Sequence, residues 1–358
     1  MFSEDQLLLK KLIHEFAEKE IDPVALKVER EGISKELIDK MVEKGFMGAL
    51  APFEYGGSNL DQASYIILLE ELAKYSPSLA FYVLIQNSLI IKLLLKSGSK
   101  KLAEEYVPKI AAGKINGAIV LEDVLQNSAP AVLEINGNKV LGARNYVISS
   151  NSNIIFSIAG ADNILLMLDN GFRVVSENSK LGFRGLNFSR IEFNSSFTEE
   201  NIVARKESKK VIEALLDEAS LPISAISLGM SENVLSKAME YSKVRKAFES
   251  LIAEFQSPAF AMSEYYAELK SLQNYLDTLS LSEPSEKEQL MLKHLATNFV
   301  IRVSKMALQV HGGYGYLEDF QVEKYYRDAM ALSVLTSNSL RDRIKLANLV
   351  LEIPSAKF

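Results

Sequence analysis

Hydrophobic positions recur every three to four residues through the first 115 residues of the chain, and this spacing predicts amphipathic helices. Glycines 45, 98 and 113 each close such a stretch, as glycines that end helices do. The most apolar run, 78–95, follows Ser76-Pro77, which is typical of a helix start with proline at its first position. Polar residues interrupt the run, so we predict a buried core helix and no membrane span.

The pattern changes between about 116 and 205, where short runs rich in β-branched residues follow one another. Asn136-Gly137 separates two of these runs, and this dipeptide is typical of a tight β-hairpin turn. No helical stretch of 10–15 residues lies between the runs, and no GxGxxG motif occurs. This part is therefore predicted to be a β-domain and not a Rossmann unit.

Helical spacing returns from about 206 and continues to the end. Ser285 and Glu288 form a capping box ahead of a long apolar pattern that stops at Gly312-Gly313. The chain is thus predicted to be an α+β protein of three domains. These are an N-terminal helical domain (1–115), a central β-domain (116–205) and a C-terminal bundle of long helices (206–358).

Composition excludes several classes of function. The formal net charge is −6 and no block of Lys or Arg stands out, so a nucleic-acid partner is not expected. The chain has no cysteine and only three scattered histidines, which excludes disulfides, thiolate catalysis and a Cys- or His-based metal site. The absence of cysteine and the charged, amphipathic N-terminus, which is unlike a signal peptide, both fit a cytoplasmic protein.

The segment QVHGGYGYLEDFQVEKYYRDA, 309–329, carries the strongest functional signal. No glycine lies between Gly229 and Gly312, and none follows Gly315. Glycines grouped at the end of a helical pattern serve either as a helix stop or as a place where a ligand approaches the backbone. His311 in this segment is interpreted as a structural histidine.

Three segments in this order resemble the acyl-CoA dehydrogenase family of flavoproteins: GFMGALAPFEYGGSNLD (45–61), YSKVRKAFESLIAEFQ (241–256) and 309–329. The resemblance covers nearly the whole chain and implies the acyl-CoA dehydrogenase-like fold, with its helical domain, β-domain and long-helix bundle. It also implies oxidation of an acyl-CoA thioester at its α,β-carbons, with FAD as the hydride acceptor. The expected partners are an electron-transfer flavoprotein and further copies of the chain, in a homodimer or homotetramer.

The resemblance also assigns cofactor-binding positions. It implies that Arg245, Phe248, Gln256 and Gln309, together with Gly312 and Gly313, contact the dinucleotide part of an FAD shared between two subunits. Ser149 and Ser150 are the expected replacements for the family's contact to the flavin N5 atom. Asn338 belongs to a run, 336–339, whose backbone N–H groups at a helix start are expected to hold a phosphate.

The catalytic glutamate of the family is missing. Counted from Arg327-Asp328-Ala329, its usual position holds Thr336, and the alternative position on a C-terminal helix holds Ala219. Neither side chain can remove a carbon-bound proton near neutral pH. Glu218, one residue early, is the remaining candidate base, and Asp217 is the expected substrate contact.

Two further positions near the expected flavin ring also depart from the family. The family's Trp-x-Thr is Tyr146-Val147-Ile148 here. Glu122 stands where the family has threonine, and its carboxylate is expected either to oppose the charge of a reduced flavin or to turn to solvent.

Three functions remain open from the sequence. The first is an acyl-CoA dehydrogenase with an unusual or relocated base. The second is other flavin chemistry on the same scaffold, such as a flavin-dependent oxygenase, which needs no α-proton base. The third is a non-catalytic homologue that binds acyl-CoA or assembles with an active enzyme. Because fold analogy alone cannot separate these alternatives, the first is the working prediction.

Overall fold

The computed structural model describes residues 1–125, 133–149, 151–337 and 340–353. Helices come first, strands follow, and long helices complete the chain, so the predicted α+β fold class is confirmed. The N-terminal helices are α1 (Glu4–Phe16), α2 (Ala25–Glu31), α3 (Lys35–Glu43), α4 (Gln62–Tyr75), α5 (Pro77–Leu84), α6 (Lys92–Lys96) and α7 (Lys100–Ala111).

The apolar run after Ser76 forms one continuous helix, in which a π-helical segment, Ile85–Ile91, joins α5 to α6. The run from Pro77 to Lys96 is long and apolar enough to cross a bilayer, but 89% of its most apolar window is buried inside the protein. The Ser76 hydroxyl accepts a hydrogen bond from the Leu79 N–H. The prediction of a capped core helix is therefore confirmed.

Buried polar side chains on this helix attach it to its neighbours. Gln86 donates to the Gly117 carbonyl and accepts from the Gly117 N–H, at 2.9 Å in each case. Asn87 accepts from the Leu50 N–H and donates to the Phe46 carbonyl, both at 3.0 Å. The polar interruptions of the apolar run thus pair backbone groups that burial would otherwise leave unsatisfied.

Two four-stranded sheets form the central part of the molecule. One has the strand order β1-β4-β5-β8, with β1 parallel to β4, and the other is antiparallel in the order β2-β3-β7-β6. The elements are β1 (Gly117–Ile119), the short helix α8 (Glu122–Leu125), β2 (Glu134–Asn136), β3 (Lys139–Ile148), β4 (Ile154–Ala159), β5 (Ile164–Leu168), β6 (Phe172–Glu177), β7 (Phe188–Ser196) and β8 (Ile202–Ala204). The predicted hairpin is confirmed, because Asn136 pairs with Lys139 across a two-residue loop in which Gly137 has φ +62°.

The C-terminal part consists mainly of long helices. They are α9 (Ser208–Glu218), α10 (Ser220–Val244), α11 (Gln256–Ser280), α12 (Glu286–His311), α13 (Glu323–Leu332) and α14 (Leu340–Leu351), with a small hairpin, β9 (Lys246–Ala247) and β10 (Ser250–Leu251), after α10. The capping box at the start of α12 is confirmed, since Ser285 and Glu288 each bond the other's backbone N–H.

Helix α10 packs closely against α4. A Cβ atom built on Gly229 would lie 2.1 Å from the Glu70 carbonyl oxygen, so only glycine permits this approach. Every residue from 220 to 231 is buried. The hydroxyls of Ser224, Ser227 and Ser231 each donate to the carbonyl four residues earlier, which satisfies them within the helix.

Buried charges lie where α1, α4, α10 and α11 meet. Glu70 and Glu71 are almost fully buried, and Lys10 lies 3.5 Å and 3.6 Å from their carboxylate oxygens. Asp277 lies near this network, and burial together with the charge of Glu70 raises the pKa of Asp277 to about 6. The folded state therefore binds a proton at Asp277 more tightly than the unfolded chain does.

Asp277→Asn should stabilise the protein at pH 7. Because the folded pKa is raised, the contribution of Asp277 to stability is lost as the pH rises from about 4 through about 6. Removing the charge should gain on the order of 1 kcal/mol at pH 7 and nothing at pH 3.5. Urea unfolding at the two pH values measures this. Asp162→Asn, at an exposed position, is the control, and a loss of stability at pH 7 in Asp277→Asn would contradict the assignment.

Candidate active site

The end of α12 forms an open cradle. Gly312 has φ +57°, and a Cβ atom built on Gly312 or Gly313 would have no heavy atom within 4 Å. These glycines line a surface pocket of about 390 Å³ together with Tyr241, Arg245 and Gln309. Four of the predicted cofactor-binding residues, Arg245, Gln309, Gly312 and Gly313, are thus brought together.

Arg245 brings an available positive charge to this cradle. Its side chain is exposed, and its guanidinium lies 5.5 Å from the centre of the Tyr314 ring. Within the part of the chain that the structure describes, no carboxylate lies within ion-pair distance of Arg245. A guanidinium beside open glycine backbone can hold a pyrophosphate through charge-assisted hydrogen bonds.

His311 is a buried residue that packs against Tyr241 of the cradle. It is buried, its Nδ1–H donates to the Ala307 carbonyl at 2.8 Å, and its ring stacks on Tyr241 with centroids 4.3 Å apart. Burial lowers the pKa of His311, so the ring is neutral at pH 7. These contacts are those of a structural side chain.

Phe248 lies at the tip of the β9–β10 hairpin. Its side chain is 93% exposed, and Phe248 and Glu249 have φ values of +50° and +68°. Gln256 is an exposed residue at the start of α11. Neither Phe248 nor Gln256 lines the pocket with Arg245, and Asn338 lies outside the described residues.

A second, apolar pocket of about 260 Å³ lies between the β-domain and α13. Its walls are mostly hydrocarbon, and its lining residues are Ile148, Lys180, Leu181, Gly182, Phe183, Leu186, Asn187, Phe188, Met330, Ala331, Val334 and Leu335. Burial lowers the pKa of the Lys180 ammonium, whose nearest carboxylate oxygen belongs to Glu177 at 3.8 Å. The pocket suits the apolar part of a ring system or of an acyl chain.

Ser149 follows Ile148, which lines the apolar pocket, but does not line the pocket itself. It has φ +58°, and its backbone N–H donates to the carbonyl of Asn187 at 2.7 Å. The Ser149 carbonyl accepts from the Ser152 hydroxyl at 2.5 Å. Its backbone groups are therefore engaged within the protein, which leaves its hydroxyl as the group that could serve the predicted flavin contact. Ser150 lies outside the described residues.

Thr336 does not act as a base. It is buried, and its hydroxyl donates to the Leu332 carbonyl at 2.6 Å, one turn earlier in the chain. Ala219, the alternative position, is fully buried between α9 and α10. Both family positions of the catalytic glutamate are thus occupied by side chains without a carboxylate.

The neighbouring acids are engaged elsewhere. Glu218 pairs with Lys92 at 3.4 Å and with Lys96, and these lysines lower its pKa although burial alone would raise it. Asp217 accepts hydrogen bonds from Arg341 and from Lys345, the latter at 2.5 Å. Glu218 is therefore a surface ion-pair residue, and both oxygens of Asp217 are occupied by cations of α14.

Glu122 does not turn to solvent, which was one of the two outcomes expected from the sequence. It is 7% exposed, and its Oε1 accepts from the Asn145 and Tyr146 N–H groups at 2.7 Å and 2.5 Å. These N–H groups lie at the bulge in β3, where pairing with β7 is interrupted between Arg144 and Val147. Glu122 thus supplies the acceptor that the partner strand does not.

Several residues of these sites were not singled out from the sequence. Tyr241 and Tyr314 complete the cradle around Arg245, and Tyr314 stood within the glycine-rich segment that had already been noted. The apolar pocket draws on the loop 180–188 and on α13, which lie far apart in the chain. No sequence pattern that we used joins them.

The family relationship follows from comparison with known proteins. The N-terminal domain of acyl-CoA dehydrogenase matches residues 3–114, and its C-terminal domain matches residues 209–345. A short-chain specific acyl-CoA dehydrogenase from Clostridium acetobutylicum is 29% identical over 94% of this chain and 95% of its own. The caffeyl-CoA reductase-Etf complex subunit CarC from Acetobacterium woodii is 28% identical over 98% of this chain and 99% of its own.

A solved structure shows the same fold. Glutaryl-CoA dehydrogenase from Mycobacterium smegmatis in complex with FADH2 superimposes with a TM-score of 0.91 at 18% identity, covering 100% of this chain and 97% of that one. The chain belongs to the acyl-CoA dehydrogenase family. It is a flavoprotein that acts on acyl-CoA thioesters, and FAD is its cofactor.

The residues of the cradle fit a dinucleotide. Open glycine backbone and the available guanidinium of Arg245 suit a pyrophosphate, and the apolar pocket suits the hydrocarbon edge of a flavin ring.

Gly313→Ala should separate cofactor binding from stability. Since Gly313 faces open space and has no left-handed φ, alanine should leave the unfolding free energy of the FAD-free protein unchanged or raise it by about 0.5 kcal/mol. FAD affinity, measured by fluorescence titration, should fall at least about tenfold because the new methyl group occupies the approach to the backbone. Lys305→Ala, an exposed change on α12, is the control, and unchanged FAD affinity in Gly313→Ala would remove the cradle from the cofactor site.

Proposed function

We propose that this chain transfers electrons between FAD and the α,β-carbons of an acyl-CoA thioester, with the dinucleotide held by Arg245, Gln309, Gly312 and Gly313. The observation that carries the proposal is the open glycine cradle facing the available guanidinium of Arg245. Phe248 and Gln256 are proposed as contacts to the same dinucleotide from the hairpin and the start of α11.

Bound FAD supplies the hydride acceptor for such a reaction. The chain's own contribution is to exclude water from the reacting carbons, because the apolar pocket presents Ile148, Met330 and Val334. The Ser149 hydroxyl and the Lys180 ammonium are the polar groups that we place at its rim. Lys180 supplies positive charge in a poorly solvated setting, where an electrostatic interaction is stronger than in water.

Removal of the α-proton is the step for which the protein provides the least help. No carboxylate lines the apolar pocket within the described ranges, and the Thr336 hydroxyl donates to a carbonyl. The α-proton of a thioester therefore has no strong protein acceptor, and turnover of ordinary saturated acyl-CoA should be slow.

The same observation favours a second candidate function. A flavin-dependent oxygenase or another flavin reaction that needs no α-proton base would use the cradle and the apolar pocket as they stand. A non-catalytic acyl-CoA-binding role is also compatible with a pocket that lacks a base. Anaerobic addition of acyl-CoA to the yellow protein separates these functions from the first, since only the first predicts that the flavin colour is lost.

The electron partner is proposed to be an electron-transfer flavoprotein. Relatives include both dehydrogenases and reductases, and one is named as a subunit of a reductase-Etf complex. We place the protein in the cytoplasm, consistent with a cysteine-free chain.

A homodimer or homotetramer is proposed to complete the cradle. Phe248, Tyr316 and Val244 are 93%, 84% and 76% exposed. In the sequence, Val244 and Phe248 stand on either side of Arg245, and Tyr316 follows the glycines. Exposed apolar side chains that form one patch are typical of a protein–protein interface, and we propose that these three residues contribute to such a patch.

Thr336→Glu should increase the rate at which acyl-CoA bleaches the flavin. The new carboxylate stands at the family position of the base, and general-base catalysis is worth about 10²–10⁴-fold. Anaerobic rapid mixing measures the rate, and Thr336→Gln is the control of equal size without a basic group. If the unmodified protein already bleaches rapidly and Glu218→Gln abolishes this, the base is Glu218 and the proposal fails on that point.

Phe248→Asp should yield monomers with weakened FAD binding. A charge at a buried interface position costs several kcal/mol, which is enough to dissociate a micromolar dimer. Sedimentation velocity and FAD content provide the measurements, with Phe53→Asp as the control because Phe53 is also a highly exposed phenylalanine, at 72%. A monomeric unmodified protein that retains FAD would contradict the shared cradle.

A further inference from the structure

One wall of the apolar pocket lies backbone to backbone against α13. A Cβ atom built on Gly182 would be 2.3 Å from the Arg327 carbonyl oxygen and 2.8 Å from the Asp328 Cα atom. Leu181, Gly182 and Phe183 line the pocket from this side, and Met330 and Ala331 of α13 line it from the other. The distance between these walls therefore depends on how the loop is held on the helix.

The Asp328 carboxyl holds the loop at its most constrained point. Asp328 is fully buried, and its Oδ1 accepts the Phe183 N–H at 2.5 Å. Phe183 has φ +50°, a left-handed conformation that is unfavourable for a bulky side chain. Its ring stacks on Phe81 with centroids 4.7 Å apart and planes 3° from parallel. The left-handed conformation is thus fixed from both sides, by a hydrogen bond and by ring stacking.

Arg327 also holds this loop, and its own positive charge is paired with carboxylates. It donates to the Leu181 carbonyl at 3.2 Å, to Glu29 at 3.4 Å and to Glu323 at 2.9 Å. Buried Lys324 lies three residues earlier on α13, and burial lowers its pKa to about 8. Arg327 thus pairs with Glu29 and Glu323, and the Lys324 ammonium donates to the Tyr75 carbonyl and to Gln321.

The surroundings of Asp328 disfavour its charged form. Burial, together with the charge of Glu29, raises its pKa well above the usual range. Its Oδ2 has no hydrogen-bond partner within the described part of the chain, which would be costly for an ionised carboxylate. The hydrogen bond from the Phe183 N–H requires an acceptor oxygen at this position, which a side-chain amide would also supply.

We propose that Asp328 is a positioning residue of the apolar pocket, whose Oδ1 holds Leu181, Gly182 and Phe183 in the left-handed turn that sets the distance between the pocket walls. We call the hydrogen bond from the Phe183 N–H to the Asp328 Oδ1 the clamp. The clamp is supported by the contacts above, and only its value for catalysis rests on the proposed function. Asparagine retains the Oδ1 acceptor and the size of the side chain, whereas alanine removes the acceptor.

The absence of tryptophan from the chain permits a direct reporter. Leu181 lines the pocket and is 53% exposed, so Leu181→Trp places a single indole on the clamped loop where there is room for it. In this background Asp328→Ala should shift the Trp emission to the red and increase its quenching by acrylamide. Asp328→Asn should retain the emission and quenching of the Leu181→Trp parent.

Asp342→Ala in the same background is the matched control. It also removes a buried carboxyl group, which accepts from Lys293 at 2.6 Å, but it lies outside the pocket. It should lower the thermal stability while the Trp emission stays unchanged. Equal emission in Asp328→Ala and the parent would overturn the positioning role, as would a red shift of the same size in Asp342→Ala.

Hydrogen exchange tests the clamp even if Asp328→Ala does not fold. In the unmodified chain and in Asp328→Asn, the Phe183 amide should exchange at least about tenfold more slowly than the exposed amides of the preceding loop. Fast exchange of this amide in the unmodified protein would overturn the proposal. None of these measurements requires bound FAD or turnover, so a failure of the clamp is distinguishable from a failure of the proposed function.

Discussion

The close approach of α10 to α4 is the contact on which the rest of the molecule depends. It requires Gly229 opposite the Glu70 carbonyl, because any side chain would collide with that oxygen. Helix α10 continues from this contact to Arg245, and it begins directly after the segment that carries Asp217 and Glu218. One backbone contact thus fixes the cradle and the family's base region relative to the N-terminal helices.

Buried polar side chains of the helical frame bind backbone groups of the β-domain, among them Gln86 and Asp328. Gln86 pairs with both backbone groups of Gly117, and Asp328 accepts the Phe183 N–H from the other side of the domain. Both anchors are buried, so water does not compete for these hydrogen bonds. The apolar pocket lies between the β-domain and α13, and its shape therefore depends on buried side chains, Gln86 and Asp328, that do not themselves line it.

The features that were predictable from the sequence are those whose cause is local. The Ser285 capping box, the Asn136-Gly137 hairpin and the capped core helix each depend on residues close together in the chain. The glycine cluster also indicated the position of the cradle, because a backbone that a ligand can approach requires glycines, and these are visible in the sequence. Family resemblance added Arg245 and Gln309, which no periodicity would have indicated.

The remaining features depend on pairings between distant parts of the chain. Asp217 is engaged by Arg341 and Lys345, which follow it by 124 and 128 residues. Glu122 accepts N–H groups that a strand bulge exposes, and the bulge itself cannot be read from alternation in β3. Whether an acid is available at a site is decided by such partners, and residue type alone does not reveal them.

The ion pairs that attach α14 to the rest of the molecule should weaken in a definite order as the salt concentration rises. Asp342 is the one buried residue identified in that helix, which is joined to α9 and α12 by ion pairs. Dissolved salt screens exposed pairs far more than buried ones. The Lys345–Glu286 pair, with side chains 28% and 49% exposed, would weaken first, and Lys293–Asp342, at 1% and 4%, would weaken last. A rise in ionic strength should therefore loosen the exposed attachment of α14 while the buried Lys293–Asp342 pair still holds the helix to α12.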